Sequence, residues 1–200
     1  HCASALTPAD ILELVKACPN LTVLALTECA LNDALLRGIA ASPCAAHLRA
    51  LRLWMCSGDA SPSALGSLIT ATKAQLAWLD VEMAFFQRHE ALDHAAWLLP
   101  LCACPELRVA LLPARLPSTA LGALAPSSTG AAASSKLQLL SVDGDGPPTP
   151  LSALEPLVRA GLTHLGLHGF YLDDAASEVA CAAANRLILR GAGPGPAPQP

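Results

Sequence analysis

The feature that most constrains this chain is the spacing of apolar residues in LTVLALTECALND, Leu21 to Asp33. Leu24 and Leu26 stand two apart, which places them on one face of a short strand. Cys29 then turns the chain inward, and Leu31 feeds an element that returns over the buried face. Asn32 or Asp33 supplies a helix cap, and Leu35, Leu36 and Ile39 form the apolar stripe of the helix that follows.

The unit recurs. Openings at Leu21, Leu48, Leu76, Leu107, Leu137, Leu162 and Ala184 give intervals of 27, 28, 31, 30, 25 and 22 residues. The second unit repeats the first closely, with Leu51, Leu53 and Cys56, then Ser61 as cap, Pro62 as first helical residue, and Leu65, Leu68 and Ile69 as the buried stripe. The third carries Leu79 and Val81, puts Ala84 where the cysteine stood, and has its return element near Glu90 to Leu101. Ala110 and Leu112 mark the fourth unit, Leu140 and Val142 the fifth, Leu165, Leu167 and Phe170 the sixth, and Leu187 and Leu189 a last strand. The fifth unit predicts a helix from Pro150 through Val158, and the sixth a helix from Asp173 to about Ala184. Upstream, Thr7 and Pro8 start a helix whose stripe is Ile11, Leu14, Val15 and Cys18, which reads as the tail of an earlier unit and predicts that the array continues before His1. These readings give one domain over 1–190, with a low-complexity loop at 126–136 and a disordered Pro/Gly tail at 191–200.

In Leu21, Leu24, Leu26, Cys29, Asn32 with Asp33, Leu36, Ile39 and Ala40, the first unit resembles the cysteine-containing class of leucine-rich repeats, whose pattern runs LxxLxLxxCxxITDxxLxxIAxxCxx. The resemblance covers nearly the whole chain, strongly in the first, second and sixth units and weakly in the fourth and fifth. It implies an α/β fold, an open leucine-rich-repeat solenoid or horseshoe with parallel strands on the concave face and helices on the convex face. It further implies a non-enzymatic protein–protein interaction module. Many proteins of that class are substrate receptors of F-box ubiquitin ligases, so a cullin-ligase adaptor becomes an expected partner if an F-box lies upstream; nothing in 1–200 resembles an F-box. A structural subunit of a large assembly is the further alternative, toward which the hydrophobic content of 53% leans.

Composition narrows the partner. A net charge of −4 provides no broad attraction to a phosphate backbone, and no basic cluster stands out, so nucleic acid is not an expected ligand. The longest apolar run, Ala95 to Cys104, is shorter than the roughly 20 residues a bilayer-spanning helix needs, so no membrane insertion is expected. Five of the eight cysteines follow the phase of the units: Cys29 and Cys56 share one position, and Cys18, Cys44 and Cys104 each precede an opening leucine by three or four residues. That pattern predicts small buried hydrophobes, reduced thiols and an intracellular protein.

Alternation assigns the strand residues that face away from the core to three columns. The first reads Val23, Ala50, Trp78, Val109, Leu139, His164, Arg186; the second Ala25, Arg52, Asp80, Leu111, Ser141, Gly166, Ile188; the third Thr27, Trp54, Glu82, Pro113, Asp143, His168, Arg190. Trp54 and Trp78, flanked by Arg52, Asp80 and Glu82, combine the aromatic and arginine residues enriched at interface hot spots, and they form the expected partner-binding patch. The competing reading is that other segments cover the tryptophans and that Arg52 simply pairs with Asp80 across the ladder. A slip of one residue in register would bury Trp54 and Trp78 instead.

Other groupings fall short of a chemical site. His89, Glu90 and His94 exceed the HExxH spacing by one residue, which puts the histidines about 140° apart on a helix. His164 and His168 are separated by about 13 Å of strand, too far to share a metal, though a pH-sensitive contact is conceivable. Asp143 and Asp145 lack the remaining ligands of a calcium loop, and Cys102 and Cys104 lack a second ligand pair. Asp80 and Glu82 as paired carboxylates have no nucleophile or histidine beside them. The sequence therefore predicts no catalytic residues, no metal and no cofactor.

Overall fold

The computed structural model describes residues 6–81, 95–112, 124, 136–143, 162–168 and 186–190. Among these residues four α-helices, α1 (Pro8–Ala17), α2 (Asp33–Ala40), α3 (Pro62–Thr72) and α4 (Ala95–Cys102), accompany nine strands. Seven of these build one sheet: β1 (Val23–Thr27), β3 (Ala50–Trp54), β5 (Trp78–Asp80), β6 (Val109–Leu112), β7 (Leu139–Asp143), β8 (His164–His168) and β9 (Arg186–Arg190). Every neighbouring pair is parallel, and the strands stand side by side in chain order. The short β2 (Ala30–Leu31) and β4 (Ser57–Gly58) form a second, two-stranded parallel pair. The chain is thus α/β with an open parallel sheet.

Leucine spacing accounts for the register. Leu24 pairs with Leu51, Leu51 with Leu79, Leu79 with Ala110, Ala110 with Leu140, Leu140 with Leu165 and Leu165 with Leu187. From Leu24 to Leu165 this row is buried, and it meets the buried stripes of the helices, Leu35, Leu36 and Ile39 on α2 and Leu65, Leu68 and Ile69 on α3, in one continuous core. Each such leucine or isoleucine contributes roughly 1.5–3 kcal/mol by leaving water. The helices pack in sequence, α1 on α2, α2 on α3 and α3 on α4. Gly66 permits the last of these approaches, since a Cβ there would lie 2.1 Å from the Ala96 carbonyl oxygen.

Helix starts follow local chemistry. Thr7 and Asp10 form a reciprocal capping box on α1, the Asn32 side chain accepts from the Leu35 N–H at 2.8 Å, and the Ser61 hydroxyl accepts from the Ala64 N–H at 3.2 Å. Asn32 is therefore the cap of α2. Asp33, the residue after it, reaches instead to the next unit, accepting from the Ser61 N–H at 2.6 Å and the Ser61 O–H at 2.9 Å while pairing with Arg37 at 3.0 Å.

After β1 and β3 the chain turns through Glu28 and Met55, both left-handed with φ of 54° and 51°. This turn swings the following cysteine inward, so that Cys29 donates to the Thr27 carbonyl at 3.2 Å and Cys56 to the Leu26 carbonyl at 3.3 Å. Cys44, Cys56 and Cys104 are buried and Cys29 half-buried, but Cys18 is exposed, at the end of a helix that no described element covers on its outer side. The α1 stripe departs from expectation in the same way. Ile11 and Val15 are buried while Leu14 is 56% exposed. Leu12, half-buried, packs against the core in its stead over Gly38 of α2, where a Cβ would approach the Leu12 methyls to 2.8 Å.

The helices expected after Pro150 and Asp173, most of the 126–136 loop and the 191–200 tail lie outside the described residues. No described helix is long and apolar enough to cross a membrane.

Candidate functional site

Among the described residues the helices cover one face of the sheet and none covers the other, and alternation along the strands decides which side chains stand there. On β1, Leu24 and Leu26 are buried while Val23, Ala25 and Thr27 are exposed; on β3, Leu51 and Leu53 are buried while Arg52 is exposed and Trp54 half-exposed. Pairing links Val23, Ala50, Trp78, Val109, Leu139, His164 and Arg186 across the sheet, then Ala25, Arg52, Asp80, Leu111, Ser141, Gly166 and Ile188. In the third column Thr27 pairs with Trp54, Asp143 with His168, and His168 with Arg190. The first two columns and the described part of the third follow the leucine spacing; Glu82 and Pro113 of the third lie outside the described residues.

Arg52 is the hub of the candidate patch. Its Nε lies 2.9 Å from Asp80 Oδ2 on the neighbouring strand, and its guanidinium carbon sits 5.2 Å from the centre of the Trp54 ring, within cation–π range. The two partners differ in environment: the Asp80 side chain is 5% exposed and that of Arg52 49%. A buried carboxylate thus fixes the direction of a half-exposed cation, and the indole supports it from the side. The cross-strand pairing that the sequence left as the competing reading is formed, together with the stacking on Trp54.

Trp78 belongs to the same face and is 47% exposed, but it does not join Trp54. Trp78 pairs with Ala50, so Trp54 lies four residues farther along its strand, about 13 Å away, with the Arg52–Asp80 pair between them. The expected patch is therefore two contact points flanking an ion pair. Glu82 lies outside the described residues, as do His89, Glu90, His94 and Asp145.

His164 also faces the open side, and its Nδ1 lies 2.9 Å from the Thr163 hydroxyl. Cys102 and Cys104 have thiols pushed up to about 11 and about 12, in each case chiefly by burial, which makes them poor nucleophiles and poor metal ligands near neutrality. Among the described residues no three or more His, Cys, Asp or Glu side chains gather as a metal site. A cleft of about 380 Å³ beside the starts of α1 and α2, lined by Pro8, Ala9, Leu12, Ala34 and Leu35 with Thr7 and Asn32, is almost wholly apolar. Its Thr7 hydroxyl is engaged by Asp10 and its Asn32 oxygen by the Leu35 N–H, so it offers little to orient a small substrate.

No protein-family model matches the chain, and comparison with curated proteins yields no significant match. Inference about function therefore rests on the open face.

Proposed function

We propose that this chain is a non-enzymatic protein-interaction module of the cysteine-containing leucine-rich-repeat class, binding a protein partner through the open face of its sheet, which is the concave face of a solenoid. The observation that carries the reading is the clamped Arg52. A cation held by the buried Asp80 and laid on Trp54 has lost most of its side-chain freedom before any partner arrives, which lowers the entropy cost of contact. The exposed Trp78 adds a second anchor on the same face. Strands in chain order, with Cys29 donating to the Thr27 carbonyl of its own unit and Cys56 to the Leu26 carbonyl of the unit before it, support the repeat class. The free Cys29, Cys44, Cys56 and Cys104 thiols accord with an intracellular setting.

The test is capture from native extract with the chain and with a Trp54→Ala, Trp78→Ala variant whose fold is checked by circular dichroism. The expected outcome is a protein retained by the former and lost by the folded variant. Recovery of the same proteins by both would move the binding surface off this face. Cullin-ligase adaptors among the lost proteins would select the ubiquitin-ligase alternative.

A further inference from the structure

The upstream ends of five consecutive strands carry apolar side chains in register: Val23, Ala50, Trp78, Val109 and Leu139. Val23 is 59% and Trp78 47% exposed, and the other three are half-buried. At about 4.8 Å per strand, this makes an apolar stripe roughly 19 Å long that crosses the strands.

One residue upstream runs a parallel row containing two cations. The Arg49 carbonyl accepts from the Ala77 N–H, and the Ala77 carbonyl accepts from the Arg108 N–H, both at 2.8 Å, so Arg49 and Arg108 stand two strands, or about 10 Å, apart beside the stripe. Both are exposed, and among the described residues neither takes part in an ion pair. Glu106, whose carboxyl feels Arg108, is held by Lys136 at 2.6 Å. A chain of net charge −4 thus presents a local positive edge beside its apolar row.

We propose that the stripe receives an amphipathic helix of a protein partner, laid across the strands with its apolar face on Val23, Trp78 and Leu139 and acidic residues toward Arg49 and Arg108. This deepens the open-face reading and rests on it. Helix geometry suits the surface. Residues three or four apart on a helix rise about 4.5–6 Å, close to the strand spacing of about 4.8 Å, so successive turns seat on successive strands, and 19 Å takes about 13 residues. An extended peptide across the same apolar row would leave its own N–H and C=O groups facing side chains that cannot bond them. A helix arrives with those groups already satisfied.

A library of random 16-residue peptides displayed on phage tests this, selected in parallel on the chain and on a Trp78→Glu variant. Expected are peptides with apolar residues at three- and four-residue spacing and flanking Asp or Glu, enriched on the chain and at least tenfold less on the variant. For a selected peptide, fluorescence polarisation with an Arg49→Glu, Arg108→Glu double variant, whose changes fall on exposed residues, should show at least tenfold weaker binding, restored when the peptide's acidic residues become lysines. Enrichment of peptides without the helical spacing, enrichment of basic peptides, or no difference between the chain and Trp78→Glu would each overturn the proposal. Such a failure alongside a partner captured through Trp54 and Trp78 would remove the helix and leave the open-face reading in place.

Discussion

Asp33 shows how one carboxylate can join two units. It accepts from the backbone and hydroxyl of Ser61, which in turn caps α3 through the Ala64 N–H, so the start of α2 and the start of α3 share a single hydrogen-bonded chain. The Ser61 N–H is the main reason that the Asp33 carboxyl lies below its usual value of 3.8, with Arg37 adding to it. A lowered folded value means that ionised Asp33 favours the folded chain. Its contribution is complete above the unfolded value near 3.8 and vanishes as pH falls through the folded one. Asp33→Ala should therefore cost about 1 kcal/mol at pH 7, and the gap between the urea midpoints of variant and parent should narrow as pH falls from 5 to 3. A gap constant over that range would mean that packing, not the charge, carries the effect. The same residue marks a limit of sequence reading. A cap at Asn32 or Asp33 is visible from residue type alone, but the 28-residue reach from Asp33 to Ser61 depends on how two units dock.

At the level of elements, close approach decides more than propensity. Gly66 sits within α3, where alanine would favour the helix by about 1 kcal/mol in isolation. Here a Cβ would stand 2.1 Å from the Ala96 carbonyl oxygen and 3.0 Å from its carbon, both backbone atoms of α4 that cannot rotate aside. Gly66→Ala should thus force α3 and α4 apart and cost about 1–3 kcal/mol, whereas Ser67→Ala on the exposed side should be neutral or slightly stabilising; thermal unfolding of the two variants compares them. Period-two and period-3.6 patterns place the strands, the caps at Thr7, at Asn32 or Asp33, and at Ser61, and the buried faces of α2 and α3, because those follow from neighbours in sequence. Gly66, the left-handed turns at Glu28 and Met55, and the outward Leu14 are set by the next element over, and the sequence carries no local sign of them. The candidate patch divides along the same line. Alternation places Arg52, Trp54, Trp78 and Asp80 on one face, while the burial of Asp80, the seating of Arg52 on Trp54 and the distance between the tryptophans emerge only from strand docking.

Across the whole molecule, strands that pair in chain order make every inner unit depend on the two beside it. Leu79 lies at the centre of this dependence, fully buried on β5 between Leu51 and Ala110, whereas Leu24 on β1 pairs, among the described residues, with Leu51 alone and is 7% exposed. Removing the same atoms should therefore have unequal effects. Leu79→Ala leaves a cavity walled on both sides and should cost about 3–5 kcal/mol, the upper part of the range for buried leucines; Leu24→Ala, whose surroundings can relax toward solvent, should cost about 2 kcal/mol. Urea unfolding gives the two values, and hydrogen exchange gives their reach. Leu79→Ala should raise exchange in β3 and β6 together, because each loses a neighbour, while Leu24→Ala should raise it in β1 and leave β6 unchanged. Equal costs, or exchange rising uniformly along the chain in both variants, would mean that the sheet unfolds only as one block and that stability does not pass from strand to strand. The distinction bears on the open face, since a partner spanning five strands would bind tightest where those strands are held in register, around the buried Leu79 and its outward neighbours Trp78 and Asp80.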